Sequence, residues 1–129
     1  MAIYVDTSAA VKLLVRETGT AALRRWLRDE ERDLVSSDLL RTELTRVALR
    51  LGDRTHRAEA ILAGINVLPV TTTTSETAGS LEPATMRSLE AVHLAAALDL
   101  GDELGAVLTY DERLADAARS HGIEVIAPA

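Results

Sequence analysis

Short runs of β-forming residues alternate along this chain with stretches of helical period, and that alternation narrows the possible folds more than any other feature. Ile3-Tyr4-Val5 opens the series, and "DLVSS" (33–37), "NVLPV" (66–70), "AVLTY" (106–110) and "IEVIA" (123–127) continue it. Between them, apolar residues recur at three and four positions. Examples are Leu23, Trp26 and Leu27 in 20–32, Leu40, Leu44, Val47 and Leu51 in 39–51, and the alanine-rich stretch 84–100. Further helices are predicted after Asp6, over 55–65 and over 112–122, with Asp38 as the cap of the third helix and Gly52, Gly101 and Gly122 as helix stops. Strands joined through helices pair in parallel, and the crossovers cover both faces of the sheet. The prediction is an α/β protein: one domain over residues 1–129, with a central parallel sheet of about five strands and helices on both faces. Pro69 admits the third strand only at an edge or near its end. The polar stretch "TTTTSETAGSLEP" (71–83) is expected to be a loop.

Composition excludes several classes. At 47% hydrophobic and 26% charged residues, a chain of 129 residues can bury a real core. The absence of cysteine rules out disulfides and thiolate metal sites. No apolar run approaches the length of a membrane span and no secretory leader is visible, so a cytoplasmic protein without a membrane partner is expected. The formal net charge of −6 argues against coating nucleic acid by bulk electrostatics. Arg nevertheless outnumbers Lys thirteen to one, and Arg41, Arg46, Arg50, Arg54 and Arg57 fall within seventeen residues. A phosphate-gripping patch and a solvated helix face are both open for that cluster.

The acids are placed more tellingly. Asp6 follows the first strand and Asp111 the fourth, each just before a helix, where ligand sites of open α/β sheets lie but where Asp also caps helices. Glu43 and Glu90 border the apolar faces of two separate helices, an unusual place for unpartnered charge. Were all four to converge, their repulsion would raise their pKa values unless a cation intervened, and an all-oxygen donor set suits Mg²⁺ or Mn²⁺.

In their order, "YVDTSA", "LLRTELTR", "SLEAVHLAAAL" and "LTYDERLADAA" make the chain resemble the PIN-domain ribonucleases, and most closely the small VapC-type toxins of bacterial toxin–antitoxin pairs. The resemblance spans nearly the whole chain and implies a PIN-like domain. By position it assigns Asp6, Glu43, Glu90 and Asp111 as the catalytic, metal-coordinating acids, with Thr7 and Thr109 as supporting hydroxyls. It implies Mg²⁺- or Mn²⁺-dependent endonucleolytic cleavage of RNA by a metal-activated water, a homodimer, and silencing by a cognate VapB-type antitoxin. Trp26, Leu23 and Leu27 offer that antitoxin a docking surface if they are not core. One departure is plain: the third acid of the family is usually Asp, and here it is Glu90.

Other readings are weaker. Glu90-Ala-Val-His93 has the Glu-x-x-His spacing of di-iron bundles but lacks a second copy, so His93 is read as a core or supporting histidine. Neither G-x-G-x-x-G nor a P-loop is present, so no nucleotide cofactor is expected. The principal alternative is a catalytically degenerate PIN-like module acting as a binding protein, with Asp6 and Asp111 as mere caps.

Overall fold

The computed structural model describes residues 1–52 and 56–129; Arg54 of the arginine cluster and Thr55, the expected start of the fourth helix, lie outside the described residues. Among the described residues five strands form one parallel sheet: β1 (Ala2–Val5), β2 (Asp33–Ser37), β3 (Asn66–Leu68), β4 (Leu104–Leu108) and β5 (Val125–Ile126), in the order β3-β2-β1-β4-β5. β3 is an edge strand that ends before Pro69, the place that proline requires. Among the described residues seven α-helices connect the strands, with one 3₁₀ turn (Gly101–Glu103) before β4: α1 (Thr7–Leu14), α2 (Thr20–Asp29), α3 (Asp38–Arg50), α4 (His56–Ala63), α5 (Thr72–Ser80), α6 (Ser88–Leu98) and α7 (Glu112–Ser120).

The helices divide between the two faces as their apolar stripes demand. Leu14, Leu23, Leu40, Leu44 and Leu62 of α1–α4 share one core cluster with Val5 and Leu108 of the sheet. Leu94 of α6 and Leu114, Ala117 and Ala118 of α7 form another, and Ala97 of α6 packs on Tyr4 and Val107. Leu23 is fully buried, and Trp26 and Leu27 pack partly buried against the same core, so α2 spends much of its apolar face internally.

Two local expectations are corrected. Residues 71–83 are not simply a loop, because Thr72–Ser80 form α5. Thr71 accepts the Thr74 N–H at 3.1 Å, and the Thr74 hydroxyl donates at 2.6 Å to Oδ2 of Asp99, the residue that caps the C-terminus of α6. Tertiary contact and a cap thus override the poor helix propensity of a threonine run. At α3 the cap position is Ser37 rather than Asp38, and Ser37 makes no capping bond because its Oγ meets the Tyr4 hydroxyl instead. Gly52 and Gly122 do close α3 and α7, both at φ +75°, a conformation that glycine adopts without strain.

The strand order fixes where a ligand can approach. The chain runs outward from β1 to β2 and β3, then crosses to the other side of β1 to enter β4. The carboxyl ends of β1 and β4 therefore flank the switch point, where helices leave the sheet in diverging directions and open a crevice.

Candidate functional site

Each strand at the switch point is followed by an acid that caps the next helix, Asp6 directly after β1 and Asp111 three residues beyond the end of β4 at Leu108. Asp6 stands at the N-cap of α1, where Oδ1 accepts the Ala9 N–H at 3.0 Å and the Ser8 hydroxyl at 2.7 Å, while Oδ2 accepts the Thr109 hydroxyl at 2.6 Å. Capping and site membership are thus not alternatives for this residue. Asp6 is only 3% exposed, and burial pushes its carboxyl above the ordinary aspartate range although the bonds from Thr109, Ser8 and Ala9 pull the other way. Asp111 caps α7 through Oδ1, which accepts from the Arg113 and Leu114 N–H groups at 2.9 and 3.2 Å.

Thr109 joins the two turns. Its hydroxyl donates to Asp6 and accepts the Asp111 N–H at 3.0 Å. Ser8 makes a parallel stitch, donating to Asp6 and accepting the Tyr110 N–H at 2.8 Å. Ser8 is a member of the site that no sequence motif singles out; its offset of two from a strand-end acid is the signal that points to it.

Glu43 approaches from α3. Its Oε1 accepts the Thr7 hydroxyl at 2.5 Å and lies 2.8 Å from His93 Nε2. Burial alone would raise its carboxyl, but the bonds from His93 and Thr7, with the attraction of His93, hold it below the usual glutamate range. Repulsion among converging acids is therefore not what governs Glu43. A histidine from α6 is.

Glu90 folds back on its own helix, with Oε2 accepting the Arg87 N–H at 2.9 Å and Oε1 4.0 Å from Arg113 Nε. That capping bond accommodates the extra methylene by which this position departs from aspartate. Glu90 and Asp111 share an open cleft of about 590 Å³ with Arg87, Arg113, Glu112 and Asp116.

The four acids thus gather at one end of the sheet in linked groups. Asp6 reaches Asp111 through Thr109, Asp111 faces Glu90 across the cleft, and Glu43 meets Thr7, the neighbour of Asp6. Among the described residues no three His, Asp or Glu side chains stand close enough to hold one ion. The donor chemistry nevertheless fits a hard cation: all four are carboxylates, and Glu43 Oε2 and Asp111 Oδ2 accept no hydrogen bond among the described residues. Of the arginine cluster, Arg41, Arg46 and Arg50 face solvent on α3, whereas Arg57 donates to the Leu14 carbonyl at 2.5 Å and ties α4 to α1.

Comparison with known proteins agrees with this architecture. The PIN domain profile matches residues 3–120. The chain is 46% identical to Ribonuclease VapC46 of Mycobacterium tuberculosis strain ATCC 25618 / H37Rv, covering 98% of each chain. It is 44% identical to Ribonuclease VapC47 of strain CDC 1551 / Oshkosh, covering 98% of this chain and 96% of that one. In fold it is similar to Mycobacterium tuberculosis VapC20, described as a sarcin-ricin loop cleaving toxin, with a TM-score of 0.74 at 20% identity over 98% of this chain and 99% of that one. A toxin-antitoxin complex from Klebsiella pneumoniae gives a TM-score of 0.74 at 17% identity over 100% and 98% of the two chains.

Proposed function

The chain belongs to the PIN-domain family, and from that premise we propose that it is an endoribonuclease of the VapC kind, the toxin of a toxin–antitoxin pair, cutting RNA with the help of Mg²⁺ or Mn²⁺. The observation that carries the reading is Asp6. A carboxylate buried at the switch point, held by three donors and paired with no Lys or Arg among the described residues, is poorly placed for stability and well placed for a cation.

Asp6, Glu43, Glu90 and Asp111 would hold the metal, which when bound supplies Lewis-acid charge and a water of lowered pKa at the scissile phosphate. The remaining chemistry belongs to the chain. Thr109 and Ser8 fix both oxygens of Asp6, so that its direction does not depend on an incoming ligand. Thr7 orients Glu43. Arg87 and Arg113, on the walls of the cleft, are the cations that meet the phosphates flanking the cut. None of the four acids is set apart as a general base by its hydrogen-bond partners.

The same reading gives the protein a VapB-type antitoxin and a homodimeric form. Leu23 is core and takes no part in docking, but the partly exposed Leu27, with Leu13 and Ile61, lines an apolar pocket of about 320 Å³ between α1, α2 and α4 that suits an apolar side chain of the antitoxin. No described helix is long and apolar enough to cross a membrane. The competing reading is a catalytically degenerate PIN-like module that binds without cleaving.

Purified protein assayed on RNA oligonucleotides with Mg²⁺ and with Mn²⁺ separates the two. Cleavage that chelation stops and Asp6→Asn abolishes is expected. Inert wild type with both metals, or an Asp6→Asn variant as active as wild type, would refute the assignment. Co-expression with a cognate VapB-type antitoxin is expected to yield a stable complex and to relieve growth inhibition by this chain.

A further inference from the structure

Behind Glu43 a line of polar side chains runs into the core. Tyr4 on β1 is 1% exposed and His93 on α6 is 5% exposed. Their rings meet edge to face with centroids 5.7 Å apart. The Tyr4 hydroxyl lies 2.8 Å from His93 Nδ1 and 3.0 Å from Ser37 Oγ. At the far side of the imidazole, Nε2 lies 2.8 Å from Glu43 Oε1 and 3.1 Å from Thr7 Oγ1.

The protons in this line can be counted. An ionised carboxylate only accepts, and the single proton of the Thr7 hydroxyl is already directed at Glu43 Oε1. The hydrogen between His93 and Glu43 therefore sits on Nε2. If Tyr4 donates to Ser37, Nδ1–H donates to the phenol oxygen; if Tyr4 donates to Nδ1, the ring is neutral. In both arrangements Tyr4 sets the rotation of the imidazole and Nε2–H is aimed at Glu43. A histidine that merely filled core space would need its shape but neither of these bonds.

We propose that His93, oriented by Tyr4, is a positioning residue: its Nε2–H fixes the rotamer of Glu43 through one oxygen and leaves the other free for the metal. The role rests on the reading of Glu43 as a ligand. Glutamate has three side-chain torsions, and a carboxylate ordered before the cation arrives has less freedom to lose on coordination. Partners of this kind that orient a ligand change metal affinity or activity by roughly 10–100-fold when removed.

The test compares His93→Met, which keeps apolar bulk without a donor, with His93→Gln, whose carboxamide N–H reaches close to the place of Nε2. Mn²⁺ alone is titrated by electron paramagnetic resonance, and cleavage of an RNA oligonucleotide is measured in parallel. His93→Met is expected to lose roughly 10–100-fold in Mn²⁺ affinity and in kcat, with KM for RNA little changed, and His93→Gln to recover most of that loss. In the metal-free protein, ¹⁵N spectra of the imidazole are expected to show a slowly exchanging proton on Nε2 whose signal moves in Glu43→Gln. The spectra and the glutamine variant carry the test if His93→Met fails to fold. Wild-type Mn²⁺ affinity in His93→Met, a glutamine variant no better than methionine, or an Nε2 without a proton would each overturn the role. An inert wild type that still shows the Nε2 proton places the failure in the ribonuclease reading and takes the positioning role with it. An active wild type without that proton places the failure in this inference alone.

Discussion

Replacing Thr109 with valine removes one oxygen and nothing else of size, so its effect can be worked from the bonds that oxygen makes. Thr109 is 1% exposed. Its hydroxyl donates to Asp6 Oδ2 at 2.6 Å and accepts the Asp111 N–H at 3.0 Å. A hydrogen bond to a charged group contributes about 1.5–3 kcal/mol, and stranding a buried amide costs about 1–3 kcal/mol. Valine has nearly the same shape, so no cavity adds to the loss. The sum is about 2.5–6 kcal/mol, discounted toward about 3 kcal/mol because water can reach the rim at Asp111. Against a usual domain stability of about 5–15 kcal/mol this is a large fraction. For a domain of this size it corresponds to a fall in Tm of roughly 10 °C. Thr109→Ser keeps the hydroxyl and loses one methyl, so about 1 kcal/mol is expected. Urea unfolding of the metal-free protein measures both variants. Equal losses for serine and valine, or a valine variant within about 0.5 kcal/mol of wild type, would show that the hydroxyl does not join the two turns.

Asp6 also sets a pH dependence. Its folded carboxyl is raised, so the native state keeps a proton that the unfolded chain has lost, and stability of the metal-free protein should fall as pH rises from the ordinary aspartate range through the value of Asp6. Glu43, held low, has the opposite sign and loses its contribution as pH falls, so Asp6→Asn should leave only the rising limb in a pH series of urea midpoints. Mg²⁺ or Mn²⁺ at one hundred times its Kd should add about 2.7 kcal/mol, seen as a higher Tm, because the unfolded chain binds it weakly; an unmoved Tm in an intact fold counts against the metal. Glu90→Gln should lose less cleavage activity than Asp6→Asn, since Glu90 sits at the cleft wall and is partly occupied by its own helix. Glu90→Asp should retain measurable cleavage with a shifted preference between Mg²⁺ and Mn²⁺, yet give up about 0.5–1 kcal/mol because the shorter chain no longer reaches the Arg87 N–H.

The alternation of β-formers with helical periods carried the architecture by itself, because a residue's period is a local property and a parallel sheet follows from crossover connections. The strands were legible for the same reason, although β3 and β4 each end two residues earlier than their apolar runs suggest and β5 is only Val125–Ile126, and so were Asp6 and Asp111 as acids after β1 and β4. Residues 71–83 were not, since the helix there is held by Thr74 reaching Asp99, a partner twenty-five positions away. Only tertiary structure decided what surrounds each carboxylate. Nothing near Glu43 in sequence announces His93, fifty positions on, and nothing near Tyr4 announces that its hydroxyl takes Ser37 away from the cap of α3. Depth in the core decides the same for Asp6, whose raised carboxyl comes from lost solvent rather than from a neighbouring acid. Sequence spacing places charges along a chain, but their interaction depends on distance and on the water between them, and both are set only when the strands pair and the helices close over them.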